Sequence, residues 1–173
     1  MSEHNVVIVV KNLFIFLAMI CILGCAETNS ANVQQQNKKQ NVTKKKVNEA
    51  KVVSVKAQGK PQNYTFNVGI SSPDTGCEQY ANWWEVLNEE GKLLYRRILA
   101  HSHVKEQPFE RSGGPVTVSD NEIVIIRAHM NNSGYGTTVF KGSVKDGFKP
   151  TQLKANFASE VKSQQPQPSG CAF

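Results

Sequence analysis

Apolar positions along this chain follow two different patterns. Leu13 through Leu23 form one unbroken apolar run of eleven residues, whereas beyond Lys51 the apolar residues come in short alternating groups. Tyr64, Phe66, Val68 and Ile70 alternate with Thr65, Asn67 and Gly69, which predicts a strand with one buried face. Trp83-Trp84-Glu85-Val86-Leu87 and Leu93 to Leu99 flank Asn88-Glu89-Glu90-Gly91-Lys92. This predicts a hairpin in which Gly91 supplies a positive φ. Further strands are expected at Val52–Ala57, Val116–Val118, Ile123–Ala128 and Thr137–Val144, about seven in all, and no segment of helical period exceeds ten residues. Short strands spread over roughly a hundred residues predict an all-β fold, a single antiparallel two-sheet sandwich.

The eleven-residue run has the length of a signal-peptide core and is too short to cross a hydrocarbon layer of roughly 30 Å as a helix. It closes on Ile22-Leu23-Gly24-Cys25. This arrangement resembles a bacterial lipoprotein signal peptide, in which aliphatic residues and then Gly or Ala precede an obligatory Cys. The resemblance implies a diacylglycerol on the Cys25 sulfur, cleavage after Gly24 and acylation of the new amino terminus. Several acyl chains hold stably where one holds marginally, because each buried CH₂ contributes about 0.8 kcal/mol. The expected location is the bacterial cell envelope. Ala26 in place of Asp after the lipidated Cys favours the outer membrane, facing the periplasm, under export rules like those of enteric bacteria. The competing reading takes residues 6–24, with Val6–Val10 and the Lys11-Asn12 interruption, as an uncleaved anchor.

Composition divides the remainder. Residues 26–50 carry no aromatic side chain, a Gln34-Gln35-Gln36-Asn37 tract and five lysines against Glu27 and Glu49. Such a stretch buries too little apolar surface to offset its chain entropy, which predicts a flexible basic tether over residues 25–50. It holds half of the formal +6 of the chain, while residues 51–149 are close to balanced with twelve basic and ten acidic side chains. A nucleic-acid protein concentrates charge on a folded face, so that class is not expected here. The sandwich is expected over residues 51–146. Pro150, Gln164-Gln165-Pro166-Gln167-Pro168 and Ser169-Gly170 predict an extended or disordered tail over 147–173.

The sandwich layout resembles an immunoglobulin or fibronectin type III domain over about residues 51–146, with Trp83 or Trp84 at the place of that family's core tryptophan. The resemblance is architectural and implies no activity. With Cys21 lost in the signal and Cys25 lipidated, Cys77 and Cys171 are the thiols left to form a disulfide in an oxidising compartment.

Candidate chemistry is sparse. His101 and His103 point to one side of an extended segment, and with His129 they form a possible Zn or Cu site, set against ordinary hydrogen-bonded histidines. Arg96, Arg97, Arg111 and Arg127 are possible contacts for an anion, set against cross-strand ion pairing with Glu85, Glu106 and Glu110. Ser112-Gly113-Gly114-Pro115 lacks the lysine and helix of a phosphate loop and reads as a turn. No Gly-x-Ser-x-Gly or His-Glu-x-x-His occurs, so no enzyme and no cofactor is expected. The expectation is a lipid-anchored binding or structural module whose partners are the membrane and an envelope protein, peptide or glycan. The alternative is a periplasmic metal-binding protein.

Overall fold

The computed structural model describes residues 48–154 and 156–172. The signal segment, Cys25 and nearly all of the tether lie outside them. The described chain is almost entirely β: β1 (Lys51–Lys60), β2 (Asn63–Ser71), β3 (Ala81–Asn88), β4 (Leu93–Ile98), β5 (Phe109–Val116), β6 (Val124–Met130), β7 (Gly134–Tyr135), β8 (Thr138–Ser143) and β9 (Gly147–Gln152), then a 3₁₀ turn at Ser159–Ser163. All strand pairs are antiparallel. One sheet has the order β1-β2-β5; the other runs β4-β3-β6-β8-β9, with β7 on β6.

The two sheets face one another across a core of Phe66, Val68, Ile70, Trp84, Val86, Phe109, Ile126 and Met130, all essentially solvent-free. Period-2 alternation sends Phe66, Val68 and Ile70 of β2 and Trp84 and Val86 of β3 into this core. The other faces of β3 and β6 are buried as well, which is why every residue of Val124–Met130 is inaccessible. Leu87, Ile125 and Val139 form a second apolar cluster with Val161, packed by Leu153, Phe157 and Ala158. The C-terminal segment therefore lies on the outer face of the large sheet as a third layer.

Three boundaries differ from those expected. The tail begins with strand β9 and continues as a packed strap, because Phe157, Ala158 and Val161 find apolar partners on the sheet that the linear pattern does not display. Packing also starts before Lys51: Ala50 is fully buried and Glu49 accepts hydrogen bonds from the Thr137 N–H and hydroxyl. Ser112-Gly113-Gly114-Pro115 is strand, within β5, not a turn. A Cβ on Gly113 would sit 2.7 Å from the Tyr95 hydroxyl and 2.8 Å from Trp84 Cζ2, so glycine is needed there for sheet-to-sheet closeness. Pro115 is tolerated because β5 is an edge strand. The β3–β4 turn forms as expected, with Gly91 at φ 86°. A Cβ there would also meet Ala158 Cβ at 2.6 Å, so the same glycine admits the strap.

Candidate functional site

Register determines what the outer face of the large sheet carries. Glu85 on β3 stands opposite Arg96 on β4 and opposite Arg127 on β6, and Trp83 stands opposite His129. Glu85 is fully buried, and each of its carboxylate oxygens takes one guanidinium: Arg96 Nε and Nη2 at 2.8 and 2.7 Å, Arg127 Nε and Nη2 each at 2.8 Å. A buried Arg–Glu–Arg group carries one excess positive charge and is costly without further partners. Here the strap supplies them. Arg96 donates to the carbonyls of Val161, Gln164 and Pro166, and Arg127 to those of Phe157 and Ala158. Carbonyls around a short 3₁₀ turn have no full helical complement of donors, and the arginines satisfy them.

Aromatic rings fill the remainder of this face. The Trp83 ring lies between Arg96, 4.5 Å from its centroid, and His129, stacked at 3.7 Å. Tyr135 meets His129 edge-on and carries Arg127 at 3.5 Å. His129 Nδ1 is hydrogen-bonded to Asn82 Oδ1. Burial, reinforced by the charges of Arg96, Arg127 and Lys162, pushes the His129 pKa down to about 3. Burial, with the Glu85 charge, pushes the Tyr135 hydroxyl up to about 12.

This arrangement corrects two sequence expectations. Arg96 and Arg127 are not free to hold an outside anion, because their Nε, Nη1 and Nη2 groups are all occupied by Glu85 and the strap carbonyls. The ion pairing is cross-strand, but it is buried beneath the strap and not on a solvated face. Arg97 and Arg111 belong elsewhere, lining a small cavity of about 100 Å³ at the β4–β5 side. Arg97 donates to the Ser112 carbonyl, and Arg111 forms a two-bond pair with Glu106 at 3.1 and 2.8 Å. The three-histidine metal site is not assembled either. His129 stacks on Trp83 under the strap, and among the described residues no three His, Cys, Asp or Glu side chains converge as a metal site.

His101 and His103 do come together. Their ring centroids are 4.6 Å apart, and His103 stacks at 3.7 Å on Phe109, the first residue of β5. Both line a cavity of about 500 Å³ walled by residues 101–106 and Ala172. The chain end reaches this wall because Cys171 is disulfide-bonded to Cys77, and Ala172 pairs alongside His101, donating its N–H to the Ala100 carbonyl at 2.7 Å. His103 is 4% exposed, and neither of its ring nitrogens has a hydrogen-bond partner. Burial, with the nearby Arg111 and His101, lowers its pKa below that of a free imidazole. Asp74, also buried, accepts from the His103 and Ala81 backbone N–H groups at 2.9 and 3.0 Å. The Ser72–Tyr80 loop is a place where the sequence leads one to expect chemistry, but no periodic signal singles out Asp74 within it.

Comparison with known proteins adds a limited amount. No known protein family matches the chain. A protein of Halomicrobium mukohataei named a putative lipoprotein is 36% identical over 89 residues, 51% of this chain. The match spans 44% of that relative's length. Among solved structures, a superoxide reductase (neelaredoxin) from Ignicoccus hospitalis aligns over 61% of this chain and 80% of its own, at 13% identity and a TM-score of 0.31. That likeness is too slight to carry an argument.

Proposed function

We propose that this chain is a lipid-anchored protein of the cell envelope whose β-sandwich is a binding or structural module held on a flexible basic tether. The observation that carries the proposal is Ile22-Leu23-Gly24-Cys25 closing an eleven-residue apolar run, followed by a polar tether and then a folded domain. The relative named a putative lipoprotein supports it. The small sheet β1-β2-β5 and the run β3-β6-β8 within the large sheet β4-β3-β6-β8-β9 support an immunoglobulin-like assignment, since that layout puts the first, second and fifth strands in one sheet and the third, sixth and seventh in the other; β4 beside β3 and the added β9 depart from its constant-type form. The domain acts by binding an envelope protein, peptide or glycan and not by catalysis, and the anchor faces the periplasm from the outer membrane. Metabolic labelling with a palmitate analogue tests the anchor: the wild type takes up label and Cys25→Ser does not. Equal labelling and equal mature size in the two would refute the proposal.

A further inference from the structure

We infer that His101 and His103 form a binding site for a divalent first-row transition-metal ion, with Asp74 orienting His103 from behind. The inference goes beyond the anchoring proposal and does not depend on it.

Three observations converge on this one place. The first is the separation of the rings. Two imidazoles bound to one ion at roughly 2.0–2.1 Å in adjacent coordination positions have centroids about 4.5–5 Å apart; those of His101 and His103 are 4.6 Å apart. The second is an orphaned buried side chain. His103 is shielded from water and without a hydrogen-bond partner at either nitrogen, whereas buried polar groups are otherwise nearly always satisfied. The third is a carboxylate in the outer position. Asp74 Oδ2 lies 3.9 Å from His103 Nδ1, and the carboxylate is fixed by two backbone N–H groups. A small rotation of the ring makes this the carboxylate–histidine pair that sets the tautomer of a metal-bound imidazole, leaving Nε2 for the ion.

Neutral imidazoles suit Cu(II) and Zn(II), with Cu(II) bound more tightly. Glu106 lines the same cavity, and each of its carboxylate oxygens accepts one hydrogen bond from Arg111. Two protein ligands leave the remaining positions to water or to a donor entering the 500 Å³ cavity from solvent. Such a site is open, unlike a closed structural one.

The test uses the full-length chain, purified in detergent with its disulfide intact and titrated with CuCl₂ and with ZnCl₂ alone. One equivalent of Cu(II) is expected, with nitrogen hyperfine structure from two imidazoles in its electron paramagnetic resonance spectrum. His101→Gln, at an exposed position, should keep its circular dichroism spectrum and lose at least tenfold in affinity. Asp74→Asn should lose about 10–100-fold and alter the Cu(II) spectrum, which a merely structural role would leave unchanged. His129→Gln should bind as the wild type does. Equal affinity in wild type and His101→Gln, no saturable binding to the wild type, or an equal loss in His129→Gln would each overturn the inference. Palmitate labelling of the same preparations reads the anchor separately.

Discussion

Replacing Glu85 by Gln keeps the shape of the side chain and removes its charge, leaving Arg96 and Arg127 facing each other under the strap. Both guanidinia are essentially buried, at 0% and 2% side-chain exposure, so water cannot take over the role of the carboxylate. Breaking a buried ion pair costs about 3–5 kcal/mol, a large part of the 5–15 kcal/mol that holds a typical domain folded. With a urea dependence of about 2 kcal/mol per M, the unfolding midpoint should fall by about 2 M. The assay is urea unfolding followed by tryptophan fluorescence, since Trp83 lies against Arg96 and reports on this face. Glu106→Gln is the control: it breaks the exposed pair with Arg111 and should leave the midpoint almost unchanged. Equal shifts in the two variants, or a shift below about 0.5 M in Glu85→Gln at unchanged slope, would refute the assignment of this group as the clamp of the strap. Apolar replacement of the whole triad, neutral in some proteins, should also destabilise here, because five strap carbonyls would lose the hydrogen bonds donated by the guanidinium groups.

Two further outcomes follow from the same geometry. Cys171→Ser opens a loop with a sequence separation of 94 residues and should cost about 4–5 kcal/mol on the loop-entropy account; an unchanged unfolding midpoint under oxidising conditions would contradict it. His129 has a folded pKa of about 3 against about 6.5 unfolded, so the unfolded state binds the extra proton, and stability falls as pH drops below about 6.5. The loss approaches about 1.4 kcal/mol per pH unit, and His103, also lowered, adds in the same direction. Comparing urea midpoints at pH 7 and pH 5, His129→Gln should show a smaller loss than the wild type; an equal loss would rule out His129 as a source.

Legibility varied with how local the cause was. The alternation at Tyr64–Ile70 and the Gly91 turn are decided within a few residues, and both are found where the sequence placed them. Gly113-Gly114-Pro115 misled, because the glycine there answers to Trp84 and Tyr95 on the other sheet and not to a turn. Phe157 and Val161 carry no signal in the sequence, because their spacing shows no regular period; they become a buried stripe only when laid on Leu87 and Ile125. The same holds for chemistry. His101 and His103 are near neighbours in any extended segment, whereas the positions of His129 and Asp74 depend on which loops and strands meet.

By itself, the sequence determined the all-β class, the period of the strands and the candidate lipidation segment ahead of them. Each of these is written in the spacing of side chains along a short stretch. Tertiary structure alone decided that the tail is a strap, that Arg96 and Arg127 face inward on Glu85, and that one histidine pair lines a cavity while the third is sealed beneath the strap. These depend on strand register, on which a single-residue slip exchanges one face for the other, and on contacts between residues separated by 11 to 70 positions.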